Sequence, residues 1–184
     1  MPIPRGPSPG CGIACARLAS VGELGAYRNL AFNPYDFAAN EVLWPHVSAN
    51  VETRSEAAFA ARNAIGGCTA NSKHGFWPYT SWGINREPRA ELVVDFGCTV
   101  TIDRALIYLR ADFPHDSWWK SATLDFSDGS ECRVALTKSG HGQEVLFPEK
   151  DVSWARLHAM QKAEEPSPFP GLTQIEIWGR DGSA

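Results

Sequence analysis

No apolar run in this sequence approaches the roughly 20 residues that cross a bilayer as a helix, so no membrane partner is expected. There is no basic cluster either. The 17 Lys and Arg residues are scattered among 21 acidic ones, and a formal net charge of −4 offers no concentrated face for nucleic acid. A phosphate-binding glycine loop and a His-Glu-x-x-His metal motif are both missing. Cysteine is sparse and odd in number. Cys68, Cys98 and Cys132 are dispersed, which argues against a disulfide framework, and Cys11 and Cys15 have no second Cys/His pair nearby to complete a zinc site. The first 20 residues place Pro and Gly where an export signal needs a continuous apolar segment. A cytoplasmic location is therefore expected, or an extracellular one if the chain is a fragment of a secreted protein.

What is present is a chain of 184 residues, the usual size of one domain, with 11% aromatics. Sixteen glycines and thirteen prolines punctuate short apolar runs, a pattern of all-β sandwiches and barrels. In "ELVVDFG", Leu92, Val94 and Phe96 alternate with polar residues, and in "DRALIYLRA" Ala105, Ile107 and Leu109 share one face. The clearest hairpin is "SATLDFSDGSECRVAL". Ala122, Leu124 and Phe126 lead into the turn Ser127-Asp128-Gly129-Ser130, and Cys132, Val134 and Leu136 lead out. "EVLFP", "SWARLHAM" and "LTQIEIWG" read as three further strands. One short helix is expected over "RSEAAFAARNAIGG", with Ser55 as N-cap and a stop at Gly66-Gly67. Residues 29–179 then form one domain, between a flexible arm (1–28) and a tail (180–184).

The order of these segments is similar to that of the discoidin, or coagulation factor 5/8 C-type, superfamily, which includes many bacterial carbohydrate-binding modules. "NLAFNP" opens, "ARNAIGG" follows, and "SWGINREPRAELVVDFG", "TIDRALIYLR" and "ATLDFSDGS" lead to the closing "LTQIEIWG". The resemblance implies a jelly-roll β-sandwich of about eight strands, the galactose-binding-like fold, which hosts binding far more often than catalysis. It also implies a structural calcium, with Glu176 matching a carboxylate ligand and Thr69 a hydroxyl ligand. The family's other carboxylate, before the second Gly of "NAIGG", is Gly66 here. Calcium wants six to eight oxygens, several from carboxylates, so that loss weakens the site or abolishes it.

Two loops have the composition of a sugar site. The first, "NSKHGFWPYTSWGINR", carries His74, Trp77, Tyr79, Trp82, Asn85 and Arg86. The second, "RADFPHDSWW", carries Arg110, Asp112, His115, Asp116, Trp118 and Trp119. Indole presents a flat face to the C–H side of a pyranose, and Arg, Asp, Asn and His offer partners for its hydroxyls. In the jelly roll the two loops are expected to meet in one pocket. Side chains alternate along an extended segment, so only one of Trp118 and Trp119 faces a ligand while the other packs inward. Arg110 has a second reading, as an ion pair with Asp112 or Asp116. If Arg110 and Trp118 serve the ligand alone, truncating either to Ala leaves the melting transition nearly intact. Phe169, in the Pro-rich "EEPSPFPG", reads as an exposed anchor, a lid, or a ring buried at the sandwich edge.

The expected function is that of a non-catalytic, carbohydrate-binding protein that recognises a sugar or uronic acid at one end of the sandwich. The net charge of −4 does not exclude an acidic ligand, because Arg86 and Arg110 can act locally. The same loops also suit a protein-interaction module. A small glycan-processing enzyme would instead use Asp112 or Asp116 with His115.

Overall fold

In the computed structural model, residues 17–37, 42–70, 77–111 and 117–182 are described. Eight strands carry nearly all of the regular structure: β1 (Arg28–Asn29), β2 (His46–Ala49), β3 (Trp82–Gly83), β4 (Leu92–Leu109), β5 (Trp119–Phe126), β6 (Glu131–Ala135), β7 (Gln143–Lys162) and β8 (Gly171–Asp181). They are hydrogen-bonded in the order β1-β8-β4-β7-β5-β6, with β2 added on β4 and β3 on β8. Every one of these pairs is antiparallel. The fold is an all-β sandwich.

Two long strands turn this ladder into two layers. The runs "ELVVDFG" and "DRALIYLRA" are not separate strands but one 18-residue strand, β4, with irregularities between Asp95 and Val100 and between Ile102 and Arg104. Before the first irregularity β4 pairs with β2; after it, β4 pairs with β8. In the same way "EVLFP" and "SWARLHAM" are one 20-residue strand, β7, whose later half lies between β4 and β5. Bulges bend a strand and increase its twist, so both strands pass from one layer into the other. Gly97 sits in the bend at φ 72°, where a side chain is strained and where a Cβ would also strike the Trp44 ring.

The inward faces follow the period of two. Leu92, Val94 and Phe96, then Ala105, Ile107 and Leu109, are buried on β4, and Ala122, Leu124 and Phe126 on β5. Trp82 and Trp119 meet inside the core with ring centroids 6.4 Å apart. Of the adjacent tryptophans, Trp119 is the buried one and Trp118 is only half-buried.

The segment expected to be helical forms three 3-10 turns instead, Thr53–Ser55, Ala57–Phe59 and Ala61–Ile65. Glu56 and Ala60 are extended between them, and Arg54 and Ser55 have positive φ, so Ser55 caps nothing. Tertiary partners outweigh the segment's helical propensity. The Asn63 amide donates to the carbonyls of Ala57 and Ser81, and the Ala61 N–H donates to Glu52. The short α-helix lies elsewhere, at Val21–Leu24, closed by a capping box between Ser20 and Glu23.

Two outcomes follow from this packing. A Cβ on Gly179 would strike the Thr101 carbonyl oxygen and crowd Ile102 Cα, both backbone atoms. Gly179→Ala should therefore lower the unfolding free energy by about 3 kcal/mol, measured by urea denaturation. On the outer face, Arg156 bridges Asp125, at 3.0 Å from Nε, and Glu91, at 3.1 Å from Nη1. Hydrogen bonds from Arg156 are the main reason that the Asp125 carboxyl lies below its ordinary 3.8. A depressed carboxyl stabilises the fold above its unfolded-state value, and that stabilisation is lost as pH falls through the folded-state value. Below about pH 4, the melting temperature of the natural protein should fall more steeply than that of Asp125→Asn.

Candidate functional site

A cleft of about 250 Å³ opens where β3, the end of β4 and the start of β8 converge. Its floor is Trp82, fully buried on β3 and fixed by an indole N–H bond to the Val51 carbonyl (2.9 Å). Beyond β3 the chain reverses over Ile84–Glu87, with the Glu87 N–H donating to the Ile84 carbonyl (2.8 Å). Both central residues have positive φ, Asn85 at 49° and Arg86 at 63°, as in a type I′ turn. Asn tolerates this conformation, but Arg stands where Gly is the usual choice, at a cost of about 1 kcal/mol. The Asn85 N–H is held by the Thr53 hydroxyl (2.9 Å).

The turn carries the Arg86 guanidinium over the Phe169 ring, 4.5 Å from its centroid, and Phe169 is 46% exposed. Arg110 closes the opposite wall. Continued alternation along β4 would place it on the outer face with Leu106 and Tyr108. The β4–β8 register shifts between Tyr108 and Leu109, however, and Arg110 is only 3% exposed. Its N–H donates to the Gly171 carbonyl (2.9 Å), its stem runs along Gly171, and Nη1 donates to the Ser81 hydroxyl (3.3 Å). Arg54, a third cation on the wall, pairs with Glu56 at 2.8 Å.

Asn85, Arg86 and Arg110, drawn from the two loops, line this one cleft. Trp77 and Tyr79 do not join them. They line a second cleft of about 630 Å³ with Tyr35, Phe37 and Arg62, where the two rings meet edge to face at 5.3 Å and Trp77 is 80% exposed. The expected single pocket is two among the described residues. Trp118 lines neither cleft. Its indole N–H donates to Glu165 (2.9 Å), which also holds Lys138 (2.8 Å) and, chiefly for that reason, titrates below its ordinary range. His74, Asp112, His115 and Asp116 lie outside the described residues.

Phe59 and Thr53 were not anticipated as lining, Trp82 of the first loop lies at the floor, and the sequence leaves Phe169 three open readings. The signal that could have singled out Phe169 is an aromatic ring between two prolines, just before the closing strand.

For calcium, Thr69 is exposed, and the Glu176 carboxylate accepts from the Trp178 indole (2.8 Å). Glu176 also faces Tyr108, whose hydroxyl is raised first by burial and then by that carboxylate. Among the described residues no three His, Cys, Asp or Glu side chains are grouped to hold a metal. Set against six to eight oxygens, this donor set does not fit the ion.

No family model matches the chain, and no curated protein matches it. Solved structures do. Chitosan-binding module 1 of a chitosanase/glucanase from Paenibacillus sp. IK-5 is similar with a TM-score of 0.56 at 19% identity, over 84% of this chain and 100% of that one. The family 32 carbohydrate-binding module of C. perfringens NanJ, in complex with galactose, gives 0.55 at 17%, over 73% and 93%. The lectin domain of lectinolysin, complexed with Lewis B antigen, gives 0.57 at 20%, over 84% and 98%. These neighbours are carbohydrate-binding modules and lectin domains of the galactose-binding-like fold, and the chain has that fold. No helix among the described residues is long and apolar enough to cross a membrane.

The burial of Arg110 changes what its removal should do. Arg110→Ala empties the space beside Gly171 and beneath Ser81, and should cost about 2 kcal/mol of stability in a urea titration. The nearly intact melting expected from a purely ligand-facing Arg110 does not suit a side chain packed this deeply.

Proposed function

We propose that this chain is a non-catalytic carbohydrate-binding protein that takes a sugar in the cleft between the Ile84–Glu87 turn and Phe169. One observation carries the reading. An exposed aromatic ring, a carboxamide and two guanidiniums (Phe169, Asn85, Arg86 and Arg110) converge at one end of the sandwich, on a rigid floor. The ring suits the C–H face of a pyranose, and the planar polar groups suit its hydroxyls. Concave sites of this kind, mostly apolar with few fixed polar groups, are typical of small-ligand binding. The neighbours, bound to galactose and to Lewis B antigen, support a sugar in general. Most glycosidases use two carboxyl groups across the scissile bond; the described lining of this cleft contains none, and Asp112 and Asp116 lie outside the described residues.

A second reading has its own observation. Tyr35 (74% exposed), Phe37 (51%) and Trp77 (80%) ring the second cleft, an apolar rim suited to a protein partner.

A glycan array probed with the purified protein, in calcium and again in chelator, tests the proposal. Binding to a narrow sugar class is expected, and it should survive the chelator. Phe169→Ala should weaken that binding about tenfold while its melting transition stays in place, because the ring is a surface group. A blank array in both conditions would overturn the proposal and favour the protein-partner reading.

A further inference from the structure

We infer that the cleft selects a sugar carrying an anionic group and that Arg86 is the selecting residue. This rests on the carbohydrate reading above and names the ligand class for the same site.

Charge is the starting point. The chain carries a net charge of −4, yet Arg54, Arg86 and Arg110 all line this cleft, and none of its described lining residues is Asp or Glu. Cationic groups gathered in one concave site focus a local field whatever the net charge. The three are not equivalent. Arg54 already pairs with the Glu56 carboxylate, and Arg110 is buried and bonded to the Ser81 hydroxyl. Arg86 is exposed, and among the described residues its partner is the face of Phe169. The carboxylate next to it in sequence, Glu87, turns to Arg89, accepting from its N–H (3.0 Å) and pairing with its Nε (3.7 Å).

The backbone makes the same point independently. At φ 63° the second central residue of the turn favours glycine, so a long cation is kept there against local preference. Residues held in sparsely populated conformations cluster at ligand clamps and active sites.

Geometry then links charge to selection. The guanidinium covers one face of the Phe169 ring, and a pyranose that stacks on that face meets it there. A neutral sugar that takes this face removes Arg86 from the ring and returns it to water with only hydroxyls for partners. A sugar bearing a carboxylate or sulfate takes the face and gives the displaced guanidinium a bidentate pair of anionic oxygens in the same step. The exchange therefore favours the anionic ligand and is close to neutral for the other.

Methyl esterification removes a uronate's charge and little else, which makes the test direct. The full chain is titrated calorimetrically with trigalacturonate and triglucuronate, with their methyl esters, and with a sulfated galactan oligosaccharide. At about 0.05 M salt an acid should bind about tenfold more tightly than its ester, and the gap should narrow at about 0.5 M. Arg86→Gly should abolish that gap while its melting temperature stays equal or rises, since glycine is at ease at this φ. Preference for the sulfated oligosaccharide over the uronates would identify the anion as sulfate and leave the role of Arg86 standing. Esters or neutral array hits binding as tightly as the acids, or an Arg86→Gly protein that keeps the gap, would overturn the inference with the carbohydrate reading intact. No binding to any sugar here or on the array would overturn both.

Discussion

The rest of the structure depends on the bend that β4 and β7 share. Each strand belongs to both layers, so the ladder between them is the seam of the sandwich: Leu92–Asp95 with Trp154–Leu157 on one side, and Val100–Ile107 with Gln143–Val152 on the other. β2 and β8 attach to the two halves of β4, and β5 with β6 attaches to the later half of β7. A bend of this kind needs a residue that can take an unusual φ and leave room for a neighbour. Gly97 does both, at φ 72° beneath the Trp44 ring. Where β4 ends fixes where Arg110 starts, and Gly171, the first residue of β8, accepts the Arg110 N–H. The cleft wall is thus an outcome of strand pairing and not of loop folding alone.

Part of this was legible in the sequence because the period of two is a local property. Leu92, Val94 and Phe96, or Ala122, Leu124 and Phe126, announce a half-buried strand without reference to anything distant. The continuity of β4 was not legible. Gly97 and the polar residues around it read as a turn between two strands, and only the partner strands make them a bend within one. The 3-10 turns over residues 53–65 were missed for a related reason. Ala-rich content favours a helix, while the bonds of Asn63 and Ala61 to Ser81 and Glu52 come from tertiary structure.

The candidate site divides along the same line. Asn85, Arg86 and Arg110 stood out as candidates because planar polar side chains beside strand ends suit hydroxyl-rich ligands, and they do line one cleft. That Trp77 and Tyr79 belong to a different cleft depends on the direction of the chain between Tyr79 and Trp82, about which residue types say nothing. Alternation correctly separated Trp118 from Trp119, yet it could not foresee that Glu165 would take the outward indole. Phe169 lay in a loop whose three prolines describe stiffness, and stiffness alone does not say what the ring meets.

The cleft combines parts of two mechanical kinds, and the combination accounts for its chemistry. Trp82 and Arg110 are buried, bonded to backbone or neighbouring hydroxyls, and cannot adapt without disturbing the core. They define shape. Phe169 and Arg86 are exposed and hold each other by one cation–π contact, worth only about 0.5–1 kcal/mol at an exposed site. On the proposed reading, a contact that weak would bias the guanidinium toward the ring before a ligand arrives and would be exchanged when one does. Placing the adaptable pair on a turn and a Pro-rich loop, opposite a wall built from strand ends, would on that same carbohydrate reading let recognition change the rim without moving the frame.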